Sequence, residues 1–283
     1  MNSTSNSIAV RVPASSANIG PGFDVLGMAL SLHLEAGFGS SPADAIEATA
    51  NHPVLVAFKH CGGQGPLWVR SQMPMGKGLG FSGAARVAGV SLAHAQKNGS
   101  DEIIFRNAQT ELLAIASELE GHPDNVSASM LGGVVASVAG STVRIPTPLD
   151  PAIIVWVPQE QTSTRESRTK LPTTVSFADA VFNVGRTALL VAAFAAGDIS
   201  ALQTATQDRL HQDVRFKKVP ASQAAMLGCI DAGAWCAWLS GSGPTIAAMC
   251  DPADAQNIAD KFPDQGSTMV LRIAAQGAQL LAI

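Results

Sequence analysis

The pattern of hydrophobic and polar positions divides the chain into strands and helices in mixed order. Alternating or continuous β-branched and apolar runs predict strands over residues 8–13, 25–34, 67–70, 152–157, 234–239, 245–249 and 269–273. Apolar residues at three- and four-residue spacing predict helices over 82–98, 102–120, 177–196 and 199–209, and a short helix and then a strand over 126–139. Because helices often follow one another directly, the order predicts an α+β fold.

Prolines cluster in the middle of the chain, at Pro146, Pro148 and Pro151. Such stretches are typical of connections between domains. The sequence therefore predicts two domains, residues 1–148 and 149–283. The first seven residues are small and polar, and we expect them to form a loose tail.

Composition narrows the class of protein. The 283 residues are 47% hydrophobic and 14% charged, which indicates a large core and a sparsely charged surface. A net charge of -4 argues against nucleic acid as the main partner. We see no signal-peptide pattern and no apolar run of about 18 residues, so we expect no membrane partner. The 4 cysteines lack CxxC spacing, which favours buried thiols in the cytoplasm over a zinc site.

The segment from Pro74 to Gly83 has the chemistry of a phosphate-binding loop. Its alternating glycines permit positive φ angles and a close backbone approach, and a helix begins directly afterwards. Lys77 adds a positive charge, and the hydroxyl of Ser82 is placed to reach a phosphate oxygen or Mg²⁺. An ordinary helix-entry turn without a ligand is the alternative.

The spacing Gly78-x-Gly80-x-x-Gly83 also matches the dinucleotide-binding fingerprint. A Rossmann unit requires a strand after the helix that ends near an acidic residue, and we predict no strand before Asp101. The Gly-Lys-Ser/Thr ending of a Walker A loop is absent. The missing strand weighs against a nicotinamide-dependent oxidoreductase, and the missing Walker A ending weighs against a P-loop nucleotide-binding protein.

Each of three further segments has two interpretations, one as part of a functional site and one as ordinary local structure. Residues 13–27 place the amide of Asn18 and the carboxylate of Asp24 among small residues, as a ligand site or as a tight Asx turn. Residues 118–125 place carboxylates beside a helix end. They would either bind Mg²⁺ or simply face solvent at the end of the helix. Residues 239–245 form a glycine-rich turn, which would press against a substrate or another loop, or be a plain hairpin turn.

Taken together, these segments resemble the motifs of the GHMP kinase superfamily, and within it the homoserine kinases. Residues 13–24 are similar to the first family motif, 74–84 to its Gly-Leu-Gly-Ser-Ser-Ala loop, 120–126 to its Glu-Gly-His-Pro-Asp-Asn-Val segment and 240–244 to its C-terminal glycine motif. Residues 164–172 are similar to Thr-Lys-x-Ala-Arg-x-x-Leu-Pro and 210–215 to Leu-His-Glu-Pro-Tyr-Arg. The resemblance covers most of the chain, from about residue 10 to 249.

The resemblance implies a fold and an activity. The fold would be a two-domain GHMP kinase-like α+β structure. Its N-terminal domain would be of the ribosomal-protein-S5 type with a left-handed crossover, and its C-terminal domain would be ferredoxin-like. The activity would be ATP-dependent phosphorylation of the side-chain hydroxyl of L-homoserine to O-phospho-L-homoserine, in threonine biosynthesis. The resemblance also implies a homodimer.

Site residues follow from the same resemblance. The ATP-binding residues would be Pro74, Met75, Gly76, Lys77, Gly78, Leu79, Gly80, Phe81, Ser82, Gly83 and Ala84. Ser82 and Glu120 would hold Mg²⁺. The homoserine-binding residues would be Asn18, Asp24, Asn125, Arg168 and Arg215, with Asp24 at the ammonium and the arginines at the carboxylate. Asp24, Lys77, Ser82 and Asn125 would serve catalysis.

Two residues depart from the family pattern. Phe81 stands where the first of two serines is usual, and Gly83 stands where alanine is common. A large aromatic ring at residue 81 would either crowd the phosphates or point into the core. The alternatives to the implied activity are a GHMP kinase that acts on another small alcohol and an inactive paralogue that only binds nucleotide. The general base is also open: Asp24, Asp124 or none.

Overall fold

Two antiparallel sheets carry the fold of the computed structural model, which describes residues 7–159 and 168–282. The strands are β1 (Ile8–Ala17), β2 (Leu26–Phe38), β3 (Ile46–Glu47), β4 (Trp68–Ser71), β5 (Val134–Val138), β6 (Ser141–Ile145), β7 (Ala152–Pro158), β8 (Cys236–Leu239), β9 (Ile246–Cys250), β10 (Gly266–Leu271) and β11 (Gln279–Ala282). The helices are α1 (Pro53–His60), α2 (Phe81–Asn98), α3 (Glu102–Glu120), α4 (Asp124–Leu131), α5 (Phe177–Ala196), α6 (Ile199–Ala205), α7 (Gln212–Phe216), α8 (Pro220–Asp231) and α9 (Ala255–Ala259).

The first sheet has the order β11-β1-β2-β4-β3, and β5 joins β2 to β6. Strands β1 and β2 form its long central ladder, with a register shift between Pro13 and Ala14. Proline has no backbone N–H to donate, so an irregularity at this point costs the ladder little. Helices α2 and α4 pack directly on these two strands, and α1 and α3 pack against α2. The antiparallel pairing excludes a Rossmann sheet.

The second sheet has the order β10-β7-β9-β8, and its two faces border different cores. Every residue of β7 is buried. Ile153 and Val155 belong to the large core that the two sheets share, whereas Ile154 and Trp156 belong to a smaller core beneath α8 and α9. Because side chains alternate between the faces of a strand, β7 connects both cores and fixes the second sheet against the first.

The α+β prediction is confirmed, and the element boundaries differ in several places. Strand β1 continues to Ala17 rather than ending at residue 13, and α6 ends at Ala205 rather than at residue 209. Elements β3, β6, β11, α1, α7, α8 and α9 were not predicted. The domain division stays a prediction, to which the structure adds that β11 pairs with β1. Residues 1–6 of the predicted tail lie outside the described residues.

Among the described helices, α5 alone is long and apolar enough to cross a membrane by length and composition. Its mean hydropathy is 1.4 over an 18-residue window, of which 22% is buried. Long helices of soluble proteins meet the same criterion. Asn183 of α5 forms hydrogen bonds with the loop that follows α6. Its Nδ2 donates to Asp208 at 2.7 Å, and its Oδ1 accepts from the backbone of Arg209 at 2.9 Å.

Candidate active site

One cleft gathers the segments that the sequence analysis selected. Its lining comes from the loop after β1, the glycine loop before α2, the connection between α3 and α4, the segments around residues 168 and 215, and the turn between β8 and β9. The lining residues are Asn18, Asp24, Pro74, Gly76, Lys77, Gly78, Leu79, Gly80, Phe81, Ser82, Glu120, His122, Asp124, Asn125, Arg168, Arg215, Gly241 and Ser242. Three predicted ATP-binding residues do not line it: Met75 is 65% exposed, and Gly83 and Ala84 are buried in α2.

Two glycines of the loop are required by both conformation and space. Gly78 and Gly80 have φ angles of +83° and +68°. A Cβ at Gly78 would lie 2.3 Å from the carbonyl oxygen of Ser240, and one at Gly80 would lie 2.0 Å from Oγ of Ser15. Gly80 is also the N-cap of α2 and supplies no side-chain hydrogen bond to the helix start. The first N–H groups of α2 are therefore left for an anion such as a phosphate.

The turn between β8 and β9 holds the glycine loop through a chain of hydrogen bonds. Oγ of Ser240 lies 2.6 Å from the carbonyl oxygen of Gly78, to which it donates, and 2.8 Å from Oγ of Ser16. Trp238 donates from Nε1 to Oγ of Ser16 at 2.9 Å. For residues 239–245 we predicted contact with a substrate, contact with another loop, or a plain hairpin turn. The structure shows the contact with another loop.

Lys77 joins the glycine loop to the second sheet. Its Nζ donates to the carbonyl oxygens of Pro158 and Gln159, at 2.8 and 2.7 Å. The side chain is buried, although it belongs to the cleft lining. Its phosphate contact stays a prediction, and in this conformation the ammonium group already serves two carbonyl oxygens at the end of β7.

Phe81 follows the second of its two predicted orientations. Its ring lies edge-on to the ring of His52, with centroids 5.8 Å apart, and it packs against the large core. His52 caps the start of α1, where its Nδ1 accepts from the backbone of Val54 at 3.3 Å. The aromatic residue thus connects α1 to the start of α2 beside the cleft.

Ser82 and Glu120 meet at the point where the resemblance placed a metal. Oγ of Ser82 donates to Oε2 of Glu120 at 2.8 Å, and Arg86 donates from Nε to the same oxygen. Residues 7–159 and 168–282 contain no cluster of three or more His, Cys, Asp and Glu side chains that could hold a metal. One hydroxyl and one carboxylate suit Mg²⁺, which takes few protein ligands and completes its shell with phosphate oxygens and water.

The two asparagines of the predicted substrate site make hydrogen bonds within the protein. Oδ1 of Asn18 accepts from the backbone of Asp24 at 3.0 Å, and its Nδ2 donates to the carbonyl oxygen of Gly241 at 2.8 Å. Oδ1 of Asn125 accepts from Oγ of Ser15 at 2.9 Å. These contacts position the loops around the cleft, and direct contact of either amide with a substrate stays a prediction.

Asp24, Arg168 and Arg215 supply opposite charges on one side of the cleft. Arg168 donates from Nη1 and Nη2 to the two carboxylate oxygens of Asp24, at 2.6 and 2.7 Å. These hydrogen bonds raise the pKa of Arg168. Burial, followed by repulsion from Arg168, lowers the pKa of Arg215 to about 10, so it remains charged at neutral pH. Thr164 to Ser167, which precede Arg168 in its motif, lie outside the described residues.

Two further rings, those of Phe23 and His122, lie near these charged groups. The ring centroid of Phe23 lies 5.4 Å from the guanidinium carbon of Arg168 and 5.3 Å from that of Arg215. Nδ1 of His122 lies 2.9 Å from Oδ1 of the buried Asp124, and this hydrogen bond raises the pKa of His122. No role was predicted for Phe23, although it lies inside the first motif.

Comparison with known proteins agrees with this geometry. The sequence profile described as GHMP kinases N terminal domain matches residues 52–133, and GHMP kinases C terminal matches residues 190–268. A homoserine kinase of Gloeobacter violaceus is 38% identical over 286 residues, which cover 91% of this chain and 93% of the relative. A homoserine kinase of Thermus thermophilus is 36% identical over 283 residues, with coverage of 93% and 94%.

Solved structures give the same result. The crystal structure of homoserine kinase from Cytophaga hutchinsonii superposes with a TM-score of 0.83 at 27% identity, and 99% of each chain is covered. The mevalonate kinase of Methanococcus jannaschii shares the fold, with a TM-score of 0.69 at 12% identity over 95% of this chain and 99% of that one. The chain therefore belongs to the GHMP kinase family, and within it to the homoserine kinases.

Proposed function

We propose that the chain transfers the γ-phosphoryl group of ATP to the side-chain hydroxyl of L-homoserine, which gives O-phospho-L-homoserine and ADP, in threonine biosynthesis. The observation that carries this proposal is the position of Arg168, Arg215 and Asp24 in the same cleft as the glycine loop. A carboxylate for an ammonium group and arginines for a carboxylate match the two ends of an amino acid. The named relatives at 36–38% identity support the same substrate.

The triphosphate would lie along residues 74–82, with its oxygens at the uncapped start of α2. Ser82 and Glu120 would hold Mg²⁺, which when bound would neutralise charge on the β- and γ-phosphates. Lys77 would stabilise the loop through its contacts with β7, or reach a phosphate after leaving them. These roles rest on the position of the residues around one cleft.

The alcohol would be oriented by its own charged groups. Asp24 would bind the substrate ammonium, and Arg168 and Arg215 would bind its carboxylate. Asn18 and Asn125 would hold the surrounding loops and face the substrate. Phosphoryl transfer depends mainly on positioning and on charge stabilisation, so we assign no general base.

Release of ADP across a panel of alcohols tests the proposal. We expect ATP- and Mg²⁺-dependent turnover with L-homoserine that clearly exceeds turnover with L-threonine, mevalonate and galactose. Turnover with mevalonate but not with homoserine would refute the substrate and retain the kinase. Binding of ATP without turnover on any alcohol would support the inactive paralogue instead.

Two further expectations belong to this proposal. A metabolic enzyme of this kind would act in the cytoplasm, which fractionation tests. The homodimer implied by the family resemblance would be seen by analytical ultracentrifugation as a species of twice the mass of the chain.

A further inference from the structure

Arg215 differs from Arg168 in the partners that hold it. Arg168 is bound by the carboxylate of Asp24, whereas Nη1 of Arg215 donates to Nδ1 of His211 and to the carbonyl oxygen of Gly241, both at 2.9 Å. Both of these acceptors are uncharged. Within the described part of the chain, Arg215 forms no ion pair although its side chain is buried. Nearby carboxylates such as Asp24 attract it only through space, so its positive charge remains available to an anion in the cleft.

The hydrogen bonds around His211 fix its protonation state. Nε2 lies 2.8 Å from the carbonyl oxygen of Gly20, which only accepts, so Nε2 carries the proton. Arg215 only donates, so the Nδ1 that faces it at 2.9 Å must have a free lone pair. A doubly protonated ring would direct an N–H at another N–H. Burial also lowers the pKa of His211 to about 4, which agrees with a neutral ring.

Neighbouring groups hold the imidazole in this orientation. Asp208 accepts hydrogen bonds from the backbone of His211 at 2.9 Å and of Gln212 at 2.8 Å, which fixes the chain at the start of α7. The ring of Phe23 lies beside the imidazole, with centroids 5.2 Å apart. Residues 211 and 215 are four apart, so the imidazole and the guanidinium lie on the same side of the helical turn.

We propose that His211 is a positioning residue: its neutral Nδ1 orients the Arg215 guanidinium for the substrate carboxylate without cancelling its charge. This inference rests on the proposed function, because the carboxylate in question is that of homoserine. A carboxylate at residue 211 would hold Arg215 as firmly, but it would neutralise the charge that the substrate needs. The neutral acceptor is therefore the functional feature.

Three substitutions of His211 test the acceptor, the donor and the charge at this residue separately. His211→Asn keeps an acceptor near the position of Nδ1 and loses the donor to Gly20. His211→Gln keeps a donor near the position of Nε2 and loses the acceptor. His211→Asp has the shape of Asn but a negative charge. We expect the KM for homoserine to rise about tenfold or more in His211→Gln and His211→Asp, and less than about threefold in His211→Asn, with little change in ATP binding.

A substrate without the carboxylate provides the control. With L-homoserine amide, which lacks the carboxylate, the differences among the three variants should largely disappear. Urea unfolding of each variant shows whether the KM values compare folded proteins. Equal KM values for homoserine in His211→Asn and His211→Gln, or a His211→Asp variant as good as His211→Asn, would overturn the inference.

Calorimetric binding of homoserine gives the same comparison without turnover. A wild-type protein that binds homoserine but does not phosphorylate it would refute the proposed reaction, and the order of the variants would still decide the role of His211. A wild-type protein that does not bind homoserine at all would overturn both.

Discussion

Arg168 binds both carboxylate oxygens of Asp24, with one hydrogen bond from each terminal nitrogen. The two groups that we assign to opposite ends of the substrate are thus bound to each other. Both are partly exposed, with 41% of the Arg168 side chain and 30% of the Asp24 side chain accessible. Exposed ion pairs usually contribute about 0–1 kcal/mol, and the two-point geometry of this partly exposed pair places it towards the upper end. An amino acid would therefore break a weak pair and form two new ones.

Asp24→Asn should raise the KM for homoserine about tenfold, because the amide cannot balance the substrate ammonium. The same substitution should have a much smaller effect on 4-hydroxybutyrate, which lacks the ammonium group. Steady-state kinetics with both alcohols measures the difference. Asp44→Asn is the matched control, because Asp44 also pairs with an arginine, Arg70, but lies outside the cleft. An equal loss on both alcohols would show that Asp24 acts on Arg168 rather than on the ammonium.

Arg86 shares Oε2 of Glu120 with Ser82, and we predict that it weakens metal binding. A guanidinium on a carboxylate reduces the attraction of that carboxylate for a cation. Arg86→Met should therefore lower the Mn²⁺ concentration needed for half-saturation severalfold. The measurement is an electron paramagnetic resonance titration of Mn²⁺ in the presence of a non-hydrolysable ATP analogue.

Arg106→Met is the control for this experiment, because Arg106 pairs with Glu102 on the exposed side of α3. It should leave the Mn²⁺ titration unchanged. Weaker Mn²⁺ binding in Arg86→Met would mean that Arg86 orients Glu120 for the metal instead of competing with it.

The long periodic elements could be predicted from the sequence, because each carries its own pattern. Helices α2 and α3 have apolar residues at helical spacing and end at glycines. Helix α1 was not predicted although Pro53 in its first turn is a helix-start signal, and its cap, His52, is not a residue type that is preferred there. Strand β11 offered no such signal: it has four residues, and its partner β1 lies at the other end of the chain.

The positions of the site residues could be predicted, but their partners could not. The glycine loop could be recognised in the sequence because glycines are needed where φ is positive. The contact of Lys77 with Pro158 depends on how β7 packs against the loop, which no local pattern contains. For the same reason, motif spacing did not indicate that Arg168 and Arg215 both lie beside the ring of Phe23.

Acid should destabilise the protein through His211. The pKa of this buried imidazole is about 4 in the folded state, below its usual value of 6.5. Between these values the unfolded state binds the extra proton, so stability should fall as pH decreases from about 6.5 towards 4, by up to about 3 kcal/mol. His211→Asn removes the titrating group. Urea unfolding at pH 7 and 5 should show a smaller loss in this variant than in the wild type, and equal losses would place the acid sensitivity elsewhere.

Alanine substitutions at Gly80 and Gly76 separate the effect of backbone strain in the glycine loop from the effect of a steric clash. Their φ angles, +68° and +69°, are nearly equal, so alanine costs a similar backbone strain of about 1–2 kcal/mol at either position. A Cβ at Gly76 meets nothing within 4 Å, whereas one at Gly80 would lie 2.0 Å from Oγ of Ser15 and 2.8 Å from Oδ1 of Asn125. Gly80→Ala should therefore lose more stability in urea than Gly76→Ala. It should also lose most of its affinity for ATP, because relief of the clash displaces Ser15, Asn125 or the start of α2, all of which border the glycine loop. Similar ATP affinities in the two variants would show that the close contact of Gly80 with Ser15 and Asn125 does not shape the phosphate site.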